Sequence, residues 1–265
     1  MQASSPLLIA SPVRRSGTTL LLRLFCSADN ALIYGDSIAT DVNVLLNLSL
    51  TKGLMYASSR DRWDAHFESV LGGAVNDWIA DLMPPMSGYL ETFQNMPLNF
   101  LQYLQSQGIQ RGRPIWGIKM AEWPPPMLLA LQRILPQARL VYIVRDLADS
   151  VRSAKAAGML VNPQEVHQFC HTHQQNCQYI RQQFAADRLL WLEYEQLVAA
   201  PEASIQRLEA FSGARGIDLG VFQHRVNTFK SDLQADPTGN GYVPPASLSE
   251  EEQELVAKYS QTAKP

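Results

Sequence analysis

The chain has 265 residues, 46% of them hydrophobic, which is enough to bury a full core as one domain. Its formal net charge of −3 argues against a nucleic-acid binder held by phosphate-backbone contacts, and it has no run of the roughly eighteen apolar residues that a membrane span needs. Met1–Ser5 lacks the basic and apolar regions of a secretory signal, and Cys26, Cys170 and Cys177 have no disulfide-framework spacing, so a reducing, cytoplasmic setting is expected.

The first element is a short apolar run, Leu7–Ala10, read as a buried strand. Ser11-Pro12-Val13-Arg14-Arg15-Ser16-Gly17-Thr18-Thr19 follows, and then the apolar stretch Leu20–Phe25. That order predicts strand, tight loop, helix. Such a loop aims the backbone N–H groups of Ser16 to Thr19 at one point, at the positive end of the helix dipole, where phosphate or sulfate oxygens bind. The loop is not a Walker A motif: Pro12 stands at the first glycine position and Thr18 at the lysine position, which weakens a magnesium-nucleotide reading. Ser16 also suits a plain helix cap.

A second strand is read at Ala31–Tyr34, and Gly35-Asp36 follows it. Residues 37–110 read as a mostly helical, partly irregular insertion carrying Trp63, Phe67, Trp78, Tyr89, Phe93, Phe100 and Tyr103. Those aromatics fit either a packed core or the roof of an acceptor site. The strand Trp116–Met120 carries Lys119, and a helix runs from Pro124-Pro125-Pro126 to Leu135. The β-branched run Arg139–Asp146 is a buried parallel strand ending in charge. Arg145 sits at its carboxyl end, where open α/β sheets bind ligands, and Ser153 lies eight residues further on in the next helix.

Residues 163–187 read as a helix whose positions 167, 170, 171, 174 and 177 share a face, with Cys170 and Cys177 as core contacts. The spacing of His167, Cys170, His171, His173 and Cys177 matches no zinc finger or knuckle, so no metal is assigned. A strand at 189–194 and a helix at 202–211 ending at Gly213 follow. Residues 230–247, with Lys230, Gly239, Asn240 and Gly241, read as a loop, and Ser249 with Glu252 as a capping box for a last helix. Strands alternating with helices predict an α/β, three-layer, P-loop-type fold with a central parallel sheet flanked by helices.

Arg15-Ser16-Gly17-Thr18-Thr19 resembles the 5′-phosphosulfate loop of the sulfotransferases that use 3′-phosphoadenosine 5′-phosphosulfate, in the Arg-first form of the bacterial and tyrosylprotein members. Arg145 and Ser153 resemble the family's pair that grips the 3′-phosphate. Trp116-Gly117-Ile118-Lys119 resembles its strand that delivers a lysine to the sulfuryl group. Leu189–Val198 with Pro201 resembles its segment whose tyrosine, here Tyr194, lies near the adenine. The resemblance covers roughly residues 6–215 and implies one sulfotransferase domain, residues 1–265, with the 37–110 insertion on the acceptor side.

The resemblance further implies donor contacts from Arg14, Arg15, Ser16, Gly17, Thr18, Thr19, Arg145, Ser153 and Tyr194, with Arg15 and Lys119 stabilising the leaving oxygen. The cytosolic members' histidine after the lysine is absent. Asp36, the counterpart of a Gly-Glu element, is the first candidate for general base and Glu122 the second; Asp36 equally suits a helix cap. The 230–247 loop is only a loose counterpart of the family's basic, glycine-rich loop. The acceptor expected is a small molecule, carbohydrate or peptide. A small-molecule kinase with a degenerate P-loop and a non-catalytic nucleotide-binding module are the alternatives.

Overall fold

In the computed structural model, residues 6–74, 76, 81–224 and 245–262 are described. Trp78, Lys230 and the Gly239–Gly241 loop lie outside them. Residues 1–39 and 108–265 form one compact unit, and residues 40–107 a second.

The first unit is built on five parallel strands, β1 (Leu7–Ala10), β2 (Ala31–Tyr34), β3 (Ile115–Lys119), β4 (Arg139–Val144) and β5 (Leu189–Glu193). Their order across the sheet is β2-β3-β1-β4-β5. Leu8 of β1 is in register with Ile118 and Leu140, which makes β1 the central strand. Gly117 is required there, because a Cβ at this position would run into the Leu7 carbonyl and lie 2.8 Å from Ile33 Cδ1.

The helices are α1 (Thr18–Ser27), α2 (Asp36–Tyr56), α3 (Arg60–Leu71), α4 (Met86–Gln110), α5 (Pro125–Ile134), α6 (Leu147–Ala156), α7 (Pro163–Gln183), α8 (Tyr194–Ala199), α9 (Pro201–Ser212) and α10 (Glu250–Thr262). Strand alternation divides the core between the two faces of the sheet. Ile9, Val141, Ile143 and Leu192 pack with Leu21, Leu24 and Phe25 of α1 and with Leu208 of α9. On the other face Tyr142 meets Trp191 at 5.3 Å, and Arg181 of α7 lies 4.2 Å over the Trp191 ring.

Val151, Val166, Cys170, Val256 and Tyr259 join α6, α7 and α10 in a separate cluster. The capping box is present: Glu252 N donates to Ser249 Oγ, and Ser249 N to Glu252 Oε2. Lys155 on α6 reaches both oxygens of Glu252 at 2.6 Å, tying α10 to α6.

Three features differ from the sequence reading. The last strand stops at Glu193, so Tyr194 opens α8 instead of closing β5. The buried seam of α7 is Val166, Cys170, His173, Cys177 and Ile180, rotated from the expected face so that His173 is inside. The helical insertion begins at Asp36, and its last helix, α4, runs unbroken through Pro97.

Within the second unit, aromatic residues pack on one another: Tyr56 on Trp63 and Tyr89, and Tyr89 on Phe93. The Lys52 ammonium lies over the rings of Tyr56, Tyr89 and Phe93 at 5.6–5.9 Å. Tyr103 stacks on Phe100 but is exposed.

Candidate active site

Every strand of the sheet delivers a group at its carboxyl end. The loop 11–17 leaves β1, Asp36 follows β2, Lys119 ends β3, Arg145 follows β4 and Tyr194 follows β5. The order of the strands reverses at β1, with β3 on one side and β4 on the other, and ligands of open α/β sheets bind at that point. Arg14, Arg15, Gly17, Thr18, Thr19, Asp36, Lys119, Glu122, Arg145 and Tyr194 line a single cavity of about 350 Å³ there.

The loop owes its shape to two left-handed residues, Arg15 (φ 70°) and Gly17 (φ 101°). A chain that alternates into this region turns successive N–H groups toward a common concavity, the geometry of anion-binding nests. Gly17 caps α1, and its carbonyl accepts from Leu21 N, so the first-turn amides have no partner along the helix. Tyr194 covers Gly17 so closely that a Cβ would collide with its ring. Ser16 is not a lining residue: it is fully buried, and its hydroxyl donates to the Val13 carbonyl at 2.9 Å. Only its backbone remains for a ligand.

Arg15 and Arg145 bring two cations together. Arg15 Nε donates to Ser153 Oγ at 3.0 Å, and Arg145 Nη1 donates to the Arg15 carbonyl at 3.2 Å. The loop after β1 is thereby joined to both residues of the Arg145–Ser153 pair. The Arg145 guanidinium lies 4.7 Å over the Tyr194 ring, and its buried Nε has no protein partner. Burial and the neighbouring charge of Arg145 together hold the Arg15 guanidinium below its ordinary pKa, with Tyr194 opposing. An anion between the two guanidinium groups relieves both effects.

On the other side of the cavity stand two ion pairs. Buried Lys119 meets Asp36 Oδ2 at 2.6 Å, and Asp36 Oδ1 accepts from Ala121 N at 2.9 Å. Arg14 Nε meets Glu122 Oε2 at 2.8 Å. Both carboxylates named as candidate bases therefore face the cavity, each beside a cation. A second cavity of about 320 Å³ shares Arg14, Glu122 and Met159 with the first and continues along Leu160, Phe169 and Thr172.

A sequence model of the sulfotransferase family matches residues 6–218. The chain belongs to the sulfotransferase family. Among solved structures, this sulfotransferase resembles the sulfotransferase domain from the curacin biosynthetic pathway, with 13% identity, a TM-score of 0.50, and 98% of this chain and 99% of that one covered. It also resembles a sulfotransferase from Alicyclobacillus acidocaldarius, with 11% identity, a TM-score of 0.50, and 98% and 93% covered. Retinol dehydratase in complex with androsterone and inactive cofactor PAP aligns at 16% identity and a TM-score of 0.47, over 97% and 80% of the two chains. No curated protein matches the chain.

The sequence reading missed the groups that support the site from behind. Ser11 Oγ lies between the carbonyls of Val13 and Ala121, linking the loop to the segment after β3. Asn176 Nδ2 donates to the Pro12 carbonyl at 2.8 Å. His173 is buried on the same helix, and burial pushes its pKa down to about 4 against the opposing influence of the Arg145 backbone and Asp146. The interior position of His173 was the only available signal, and it needed the true seam of α7. No three metal-ligating side chains stand together among the described residues.

Proposed function

We propose that this sulfotransferase moves a sulfuryl group from 3′-phosphoadenosine 5′-phosphosulfate to an acceptor hydroxyl or amine. The observation that carries the reading is the joined pair of anion sites: the left-handed loop at Arg15–Gly17, hydrogen-bonded to Arg145 and Ser153. A donor with phosphates at both ends of one ribose needs two such sites side by side. In this reading the loop amides and Arg15 take the 5′ end, Arg145 and Ser153 take the 3′-phosphate, and Tyr194 stands at the base.

The chemistry asks for positioning and for charge stabilisation along an in-line displacement. The acceptor oxygen forms the new S–O bond as the bond from sulfur to the phosphate oxygen breaks. Lys119 and Arg15 donate to the departing oxygen, where negative charge grows. Lys119 is buried, which strengthens its effect. Asp36 takes the acceptor proton; its 2.6 Å contact holds Lys119 in the cavity until the departing oxygen competes for the ammonium. Glu122 is the rival base, held by Arg14.

The acceptor occupies the adjoining cavity along Met159, Leu160 and Phe169, which suits a small molecule, carbohydrate or peptide with an apolar portion. The insertion at 40–107 is assigned to acceptor recognition from its place in the chain between β2 and β3. Three free cysteines, two of them buried, support a reducing, cytoplasmic setting. No described helix is long and apolar enough to cross a membrane.

Thermal unfolding with adenosine 3′,5′-bisphosphate in a chelator tests the donor assignment. A raised midpoint with the bisphosphate and none with ATP and magnesium is expected; the opposite ranking moves the protein to the kinase reading. Asp36→Asn is expected to lower the turnover rate while leaving bisphosphate affinity in place. A loss confined to Glu122→Gln instead moves the base to the segment after β3.

A further inference from the structure

We propose that Asn176 of α7 is a positioning residue for the donor loop: its amide anchors the Pro12 carbonyl, and so fixes where the loop leaves β1 and where its Gly17–Thr19 amides meet the ligand. The proposal rests on the donor reading above. A loop that binds anions through its amides must send its carbonyls elsewhere, since each peptide unit carries both groups back to back.

Three of the loop's carbonyls meet that demand. Val13 O accepts from Ser16 Oγ at 2.9 Å, and Arg15 O accepts from Arg145 Nη1 at 3.2 Å. Both partners belong to the site or to the loop itself. The Pro12 carbonyl has its partner on a helix 164 residues away, Asn176 Nδ2, at 2.8 Å. Pro12 is buried, so water does not readily replace the amide.

The position of Asn176 is set by the helix that bears it. One turn earlier on the same helix, His173 is 3% exposed. Five residues later, Arg181 lies on Trp191 of β5. The helix is thus held against the sheet on either side of Asn176. Asn176 thereby ties the 5′ site to a buried helix, although it contributes no atom to the cavity lining.

The test compares two nucleotides by calorimetry, adenosine 3′,5′-bisphosphate and adenosine 3′-monophosphate, on the full chain. Asn176→Asp keeps the shape but sets an acceptor against an acceptor, and Asn176→Ala carries the same comparison if the first variant does not fold. Affinity for the bisphosphate is expected to fall about tenfold while affinity for the 3′-monophosphate stays within about twofold, because only the 5′-phosphate meets the loop. A purely structural role moves both nucleotides together. Equal losses for the two nucleotides, or no loss for either, overturn the proposal. Failure of the wild-type chain to bind the bisphosphate overturns the donor reading itself, and the proposal with it.

Discussion

Gly17→Ala probes the donor loop at its narrowest point. Two separate penalties meet there. The backbone sits at φ 101°, ψ 9°, a region that a Cβ disfavours by about 1–2 kcal/mol. The new methyl also runs into the Tyr194 ring, with Cε2 at 2.9 Å and Cδ2 closer still, and approaches Ile143 Cδ1 at 3.2 Å. Overpacking of that kind costs about 1–3 kcal/mol. Together they amount to about 2–5 kcal/mol against this loop geometry; a loop that relaxes away from it must recover that cost on binding, a loss of roughly thirtyfold or more in bisphosphate affinity.

The two parts can be separated. Tyr194→Ala removes the ring, so the double variant keeps the backbone cost and loses the collision. A double-mutant cycle read by calorimetry should give a coupling energy of about 1–3 kcal/mol. If Gly17→Ala binds the bisphosphate as tightly as the wild type, the loop does not hold the left-handed geometry on which the anion site depends. If the cycle shows no coupling, Tyr194 does not rest on Gly17 in solution.

Three further outcomes are expected. Arg15→Ala should slow sulfuryl transfer by about a hundredfold or more, measured as turnover at saturating donor, because it removes a charged donor from the departing oxygen. Ser153→Ala and Arg145→Ala should weaken the 3′-phosphorylated nucleotide far more than one lacking that phosphate; a lost charged hydrogen bond is worth about 1.5–3 kcal/mol, and equal losses by calorimetry would remove these residues from 3′-phosphate recognition. His173, with its pKa pushed down to about 4 from an ordinary 6.5, binds fewer protons folded than unfolded between those values. Its contribution is complete above pH 6.5 and falls away as the pH drops to about 4, by roughly 3 kcal/mol, and denaturant unfolding of His173→Leu should lack that part of the pH dependence.

The parts of the site that read clearly in the sequence are those whose chemistry is local. Ser16-Gly17-Thr18-Thr19 lies one short loop after its strand, and Arg145 and Ser153 are fixed by one strand end and two turns of helix. Parallel strands were equally legible, because β1 and β4 are apolar on both faces. The pairing of Lys119 with Asp36 spans 83 residues and that of Arg14 with Glu122 spans 108, and neither partner marks the other in the sequence. The sheet order is hidden for the same reason. His173 escaped because helix period alone leaves the seam of α7 free to rotate by one position, and the observed seam is set by tertiary packing. Tyr194 was given to a strand because the apolar alternation of β5 runs on past the point where α8 begins.

The delivery of all chemical groups to one rim of the sheet also bears on how the protein can be handled. The opposite rim is where β3 and β4 begin, after the exposed turns at Gly112 and Gln137. A tether attached through Gln137→Cys, for a surface, a fluorophore or a fused carrier, sits at the rim of the sheet opposite these groups. Immobilised enzyme made in this orientation should retain its donor affinity, whereas coupling through the segment after β3 at Met120–Glu122 should block the mouth.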